Sequence, residues 1–218
     1  MNRIAPLGDS AVLVGFGDDI DLATNLRVHA LDAQLQAALL PGVIETVPAY
    51  ATLLIHYDQL RLDYDAVAQW LRAALASQQQ TLQRTPRQIN VPVRYGGEYG
   101  PDLASVADYH HASEAEIIRL HSGREYTVFM MGFTPGFPYM GKLDDALATS
   151  RLETPRTRVP AGSVGIAGLQ TGIYPIESPG GWRLIGRTSL SLFNLASSEP
   201  FVFAPGDRVR FIPEGIDA

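Results

Sequence analysis

Ala11–Phe16 is a short apolar run punctuated by Gly15 and Gly17, and it predicts a strand. Asp21 suits a helix N-cap ahead of Leu22, Leu26, Ala30, Leu31, Ala33, Leu35 and Ala38, which recur at helical spacing. Pro41-Gly42 stops that helix. Val43–Val47 and Thr52–Tyr57 read as a strand pair joined through Pro48-Ala49-Tyr50-Ala51. Asp63 opens a second helix with Val67, Trp70, Leu71 and Ala74 on one face, and Gln78-Gln79-Gln80 is its polar exit. Ile89, Val91, Val93 and Tyr95 then alternate with other residues as a strand does. The order β-α-β-β-α-β is the split βαβ, ferredoxin-like arrangement. The last strand belongs either to this domain or to the next. Composition turns polar and then proline-stiff near Arg84-Thr85-Pro86. The expected division is therefore a ferredoxin-like domain at residues 1–84 and a second domain at residues 85–218.

The second part has a different rhythm. Pro101 suits a helix first turn, with Asp102–Tyr109 behind it. Ser113 and Glu116 have capping-box spacing for a helix over Glu114–His121. Tyr126–Met131 is a strand, and short β segments follow between turns: Ser163–Gly165, Gln170–Pro175, Trp182–Thr188 and Val209–Ile212. Pro205-Gly206-Asp207 is the turn into the last of them. Many short strands with Gly/Pro turns predict a barrel or sandwich, so the fold class is α+β.

Composition narrows the partners. The 218 residues are 46% hydrophobic and 18% charged, an ordinary globular balance. The net charge of -6, with no Lys/Arg run, speaks against nucleic acid. Cysteine is absent, which excludes disulfides and thiol catalysis and fits a cytoplasmic location. The first residues show no signal-peptide pattern, and no apolar stretch reaches the ~20 residues of a membrane span.

Two stretches carry candidate chemistry. Gly132–Gly141 holds three glycines, two prolines and three aromatics in ten residues. That mixture predicts an irregular loop displaying aromatic faces, with Phe133, Pro135, Gly136, Phe137 and Tyr139 as pocket residues. Val159–Thr188 is rich in small residues and contains only Glu177, Arg183 and Arg187 as charges. Pro160, Gly162, Ser163, Gln170, Thr171, Gly172, Pro179, Gly180 and Trp182 are its candidate contacts; the alternative is a tight barrel whose glycines serve closure. Gly136–Leu143 resembles a phosphate loop but ends in Leu143, which cannot ligate Mg²⁺, and Pro138 lacks an N–H. Arg156, Arg158 and Arg187 can meet an anion, or else pair with Asp144, Asp145 or Glu153, and Lys142 reads as an exposed lysine near an anionic ligand. The histidines form no metal-binding spacing and no nucleophile–base pair, and no G-x-S-x-G elbow exists. The residues describe a pocket without a self-sufficient catalytic set, which favours one part of a complex or a binding module.

Several motifs are shared with a known family. They are Gly132–Gly141, Val159–Ile166, Gln170-Thr171-Gly172, Tyr174-Pro175, Ser178–Trp182 and Ile185-Gly186. Pro92–Gly97, Gly100–Leu103, Leu120-His121-Ser122 and Pro205-Gly206-Asp207 extend the likeness. With these the chain resembles the family that holds the B subunit of bacterial 5-oxoprolinase, allophanate hydrolase subunit 1 and the sporulation kinase inhibitor KipI. The resemblance implies a cyclophilin-like barrel in the second domain. It implies a complex with two other proteins. One is an allophanate hydrolase subunit 2-like partner, the C subunit of 5-oxoprolinase; the other is the lactam-handling A subunit. It also implies ATP, shared with a partner and accompanied by Mg²⁺, and hydrolysis of 5-oxo-L-proline to L-glutamate. Under that reading Arg156, Lys142 and Gln170 are the candidate catalytic residues, and Phe133, Phe137, Tyr139 and Trp182 wall the ring. A KipI-like inhibitor of a histidine kinase is the alternative, and a peptidyl-prolyl isomerase a third.

Overall fold

The computed structural model describes residues 2–77 and 86–215. The chain divides into two compact units, Met1–Thr85 and Pro86–Ala218. The expected boundary at 84/85 and the glutamine run at 78–80 lie outside the described residues.

In the first unit the elements run β1 (Arg3–Pro6), β2 (Ala11–Gly15), α1 (Leu22–Ala37), β3 (Val43–Pro48), β4 (Thr52–Tyr57) and α2 (Tyr64–Ala76). Asp21 and Asp63 cap the two helices, their carboxylates accepting from the N–H of Thr24 at 2.7 Å and Ala66 at 2.8 Å. Every sheet pairing is antiparallel, in the order β1-β2-β4-β3. Val12 and Val14 on β2 and Leu53, Ile55 and Tyr57 on β4 point to one face. Val28, Leu31 and Leu35 of α1 and Val67 and Leu71 of α2 cover it. This is the ferredoxin-like split βαβ layout with one exchange. The edge position beside β2 is taken by the N-terminal β1, not by a strand after α2. Arg3–Pro6 is only four residues long and its burial does not alternate, so periodicity had nothing to detect.

The strand over Gln88–Tyr95 (β5) belongs to the second unit. There it is followed by α3 (Leu103–Tyr109), α4 (Glu114–Ser122), β6 (Glu125–Met131), β7 (Pro138–Gly141), β8 (Arg156–Val159), β9 (Ser163–Ala167), β10 (Gln170–Ile173), β11 (Ser178–Gly180), β12 (Arg183–Arg187) and β13 (Arg208–Pro213). Seven strands close a barrel in the order β10-β7-β6-β13-β5-β12-β9, and β9 pairs back onto β10. The β5–β13 contact is parallel; the other pairings are antiparallel. β8 and β11 form a separate two-stranded ribbon.

The expectation that Gly132–Gly141 forms no regular element is corrected in part. Pro138–Gly141 is a barrel strand, pairing with β6 and β10. Proline is tolerated as the first residue of a strand, and Pro138 is the first residue of β7. Ser113 accepts the N–H of Glu116 at 3.2 Å, as a capping box requires. Glu116 itself turns to Arg119, at 2.7 and 2.8 Å.

The barrel is filled by Val91, Val93, Tyr126, Val128, Met140, Val164, Ile166, Ile185 and Phe211. His121 of α4 is buried completely among them and stacks on Phe211 at 4.5 Å. Tyr95 Oη lies 2.8 Å from His121 Nδ1, and His121 Nε2 lies 2.9 Å from Thr171 Oγ1. Thr171 donates its own proton to Gly165 O at 3.1 Å, so its oxygen accepts from Nε2–H. The Tyr95 hydroxyl then donates to Nδ1, and the imidazole is neutral. Burial drives its pKa down to about 3.

Candidate functional site

The aromatic residues singled out in sequence come together around Phe137. Its ring meets Tyr139 at 4.8 Å, Tyr174 at 5.2 Å, Trp182 at 5.5 Å and Phe133 at 5.6 Å. Three of these contacts are edge-to-face, the geometry that opposed ring quadrupoles favour. The rings do not share one exposure. Phe137, Tyr174 and Trp182 are buried with Val159, Ala167 and Leu184 as a satellite core, and Tyr139 is half-buried. Phe133 projects into solvent at 59% exposure, with φ at 63°. The cluster is therefore a packed floor with Phe133 and the edge of Tyr139 as its accessible parts.

The glycines of the two stretches mostly fit the chain against itself. A Cβ on Gly172 would sit 2.8 Å from the Phe137 ring, and one on Gly180 would sit 2.3 Å from Tyr174 Oη. A Cβ on Gly162 would lie 2.2 Å from Thr188 O, and Gly162 has φ +80°. Backbone donors there are also engaged. Gly162 N–H donates to Tyr174 O, Ser163 N–H to Pro160 O and Gly168 N–H to Thr149 O. The segment that resembles a phosphate loop does not fit a triphosphate. Phe137 N–H turns inward to Thr134 O, Leu143 N–H donates to Leu169 O, and Leu143 is buried.

Arg156, on β8, is positioned by a partner that sequence reading took for a helix residue. Its Nη2 donates to Asp102 Oδ1 at 2.7 Å, and Asp102 Oδ2 accepts the N–H of Leu184 at 2.7 Å. Asp102 is 7% exposed and makes no capping bond to α3. Arg156 Nη1 is buried and has no hydrogen-bond partner in the protein, and the same holds for Ser163 Oγ and Ser178 Oγ. Orphaned buried donors are costly, about 1–3 kcal/mol each, so they mark where a ligand's polar atoms gain most. Burial raises the Tyr139 and Tyr174 phenols above their ordinary pKa. The positive charge of Arg151 opposes the rise at both, and that of Arg156 at Tyr174. Arg151 was missed in sequence because it stands outside both stretches. Asp102 was missed because its partner lies 54 residues away.

The other expected residues are spread out. Lys142 is exposed, with Nζ 3.6 Å from Asp145 Oδ1. Gln170 heads β10 opposite Gly141 and Ala167. Thr171 faces His121 inside the barrel. Gly136 packs beside Phe193, Phe201 and Pro175, Pro135 is exposed next to it, and Pro160 precedes the Gly162 turn. Pro179 is an exposed residue of the ribbon strand β11. The carboxylates expected for the arginines go elsewhere: Asp144 meets Arg124 and Asp145 meets Lys142, while Arg156 pairs with Asp102 and Arg158 with Glu177 at 2.8 Å. Among the described residues no group of three or more His, Cys, Asp or Glu is placed to hold a metal. No helix among them is long and apolar enough to cross a membrane.

Residues 2–203 match the model of the family described as the carboxyltransferase domain, subdomain C and D. The chain belongs to this family. Among curated relatives, this family member is 41% identical to the 5-oxoprolinase B subunit of Bacillus subtilis (strain 168), over 96% of this chain and 92% of that one. It is 43% identical to the 5-oxoprolinase B subunit of Escherichia coli O157:H7, over 95% and 94% of the two chains. The crystal structure of TTHA0988 superposes with a TM-score of 0.81 at 37% identity. That match covers 94% of this chain and 40% of the longer TTHA0988 chain.

Proposed function

We propose that this chain is the B subunit of a 5-oxoprolinase, a complex that hydrolyses 5-oxo-L-proline to L-glutamate with cleavage of ATP. The observation that carries the reading is the identity of 41–43%, nearly end to end, with proteins named as the B subunit of 5-oxoprolinase. The remaining members of the proposed complex are a lactam-handling A subunit and a C subunit like allophanate hydrolase subunit 2.

The chemistry asks for help at one carbonyl. A lactam is resonance-stabilised, so water adds to it poorly. Hydrolysis adds water across the C–N bond, the carbonyl carbon becoming a carboxylate and the ring nitrogen the α-amine. ATP supplies the driving force in the complex. The phosphate-loop-like segment of this chain does not fit a triphosphate. What the chain offers is orientation and charge. Asp102 holds the Arg156 guanidinium in one rotamer, leaving Nη1 as a fixed donor for a developing oxyanion. Phe133 and Tyr139 provide apolar edges over the Phe137–Trp182 floor, and the Arg156 charge acts on Tyr174 of the same cluster.

The test is reconstitution. Co-expressing the chain with both partner proteins should give ATP-dependent glutamate release, and omitting any one of the three should abolish it. Glutamate release by this chain alone would overturn the reading. Arg156→Ala in the complex should lower kcat by about 10²-fold or more, the scale for losing an oxyanion donor. Unchanged turnover would remove Arg156 from the site.

A further inference from the structure

A cleft on the barrel shares no lining residue with the aromatic cluster. It encloses about 180 Å³ and is lined by Arg94, Tyr99, Arg187, Thr188, Ser189 and Glu214. That is the room of about six water molecules, at roughly 30 Å³ each. Arg94 on β5 and Arg187 on β12 are direct cross-strand partners. Like charges in that position repel and weaken a sheet. Both guanidinium groups nevertheless gather over one ring, their carbons 5.5 and 5.7 Å from the Tyr99 centroid.

Compensation within the protein is incomplete. Arg94 donates to Tyr99 Oη at 3.2 Å and approaches Glu214 only to 3.9 Å. Arg187 has no carboxylate within ion-pair distance among the described residues, and its Nε is buried without a hydrogen-bond partner. Glu98 is exposed and outside the lining, and reaches Arg94 only through its charge, as the last of several influences there. Two cations against one carboxylate leave the lining with one net positive charge. The Tyr99 face recovers about 0.5–1 kcal/mol per cation, which does not satisfy the Arg187 Nε–H.

We infer that this cleft, where Arg187 and Arg94 converge over Tyr99, binds the carboxylate group of a small molecule. A carboxylate matches the Arg fork with two parallel N–H···O bonds and brings the single negative charge that the lining lacks. Phosphate has the same oxygen geometry but carries more than one charge near neutral pH, and Glu214 opposes the excess. The inference is independent of the 5-oxoprolinase reading, because binding is measured on the chain itself.

The test titrates the full chain with sodium acetate and, separately, inorganic phosphate, following the arginine Nε–Hε signals by NMR. Acetate should shift the Arg187 signal saturably, at lower concentration than phosphate does. Arg187→Gln and Arg94→Gln should each weaken acetate binding about tenfold or more. Arg187→Lys, which keeps the charge but not the fork, should retain weak and more salt-sensitive binding. Arg183→Gln on the same strand should leave affinity unchanged. If Arg187→Gln fails to fold, Arg187→Lys and Arg94→Gln decide the matter. The inference falls if acetate gives no saturable shift, if neither Arg94 nor Arg187 substitution weakens it, or if phosphate binds more tightly than acetate.

Discussion

His121 is cut off from solvent, and that fixes its chemistry. Its folded pKa of about 3 lies below the ordinary 6.5, so between these values the unfolded chain binds a proton that the folded chain does not. Stability should therefore rise with pH through that window, by at most about 1.4 kcal/mol per unit, and level off above it. His121→Gln should flatten this part of the profile of urea midpoint against pH. Parallel profiles for the two proteins would show that another group is responsible. Asp102 is the second decisive residue. Asp102→Ala leaves the Arg156 guanidinium and the Leu184 N–H without their acceptor and should cost about 2–4 kcal/mol in denaturant unfolding, allowing for the partial exposure of Arg156. Neither role was legible in sequence. His121 looked like one histidine beside a serine, and Asp102 like a residue at a helix start. Their partners are Thr171, 50 residues on, and Arg156, 54 residues on, and no local pattern reports contacts at such separations.

At the scale of elements, the glycines separate into two kinds. Gly162→Ala would drive a Cβ to 2.2 Å from a backbone oxygen at φ +80°, and the Thr188 carbonyl cannot step aside without breaking the β9–β12 end. A loss above about 3 kcal/mol is expected. Gly168→Ala meets nothing within 4 Å at φ +55°, so it should lose only the backbone term of about 1–2 kcal/mol. Equal urea midpoints for the two variants would contradict the contact argument. The helices were readable because Asp21, Asp63 and Ser113 stand ahead of periodic apolar positions, and each accepts the N–H three residues on. β5 was readable from its alternation. β1, β7, β8 and β11 were not, being three or four residues each and too short for a period to show. The same glycines that suggested access to a ligand turn out to admit Phe137, Tyr174 and Thr188.

For the whole molecule, the two units each have their own buried cluster. A fragment starting at residue 86 contains every barrel strand and should keep the near-UV signature of its packed aromatics. One starting at residue 97 lacks β5 and should lose it, since the sheet then has open edges where β12 and β13 were joined. Equal signatures would mean that β5 is dispensable to closure. The parallel β5–β13 seam also says something about birth on the ribosome. Asp207, fully buried, holds Arg87 through two nitrogens, and Gln88 pairs with Arg208, so the first and last strands meet across 120 residues. No barrel can close while β13 is still inside the exit tunnel. The nascent second unit must wait with six barrel strands and an unsealed flank until β13 has left the tunnel, and loop-closure entropy makes so distant a pairing slow. Protection of tethered nascent chains from protease should accordingly appear in one step, only once Pro213 has cleared the tunnel.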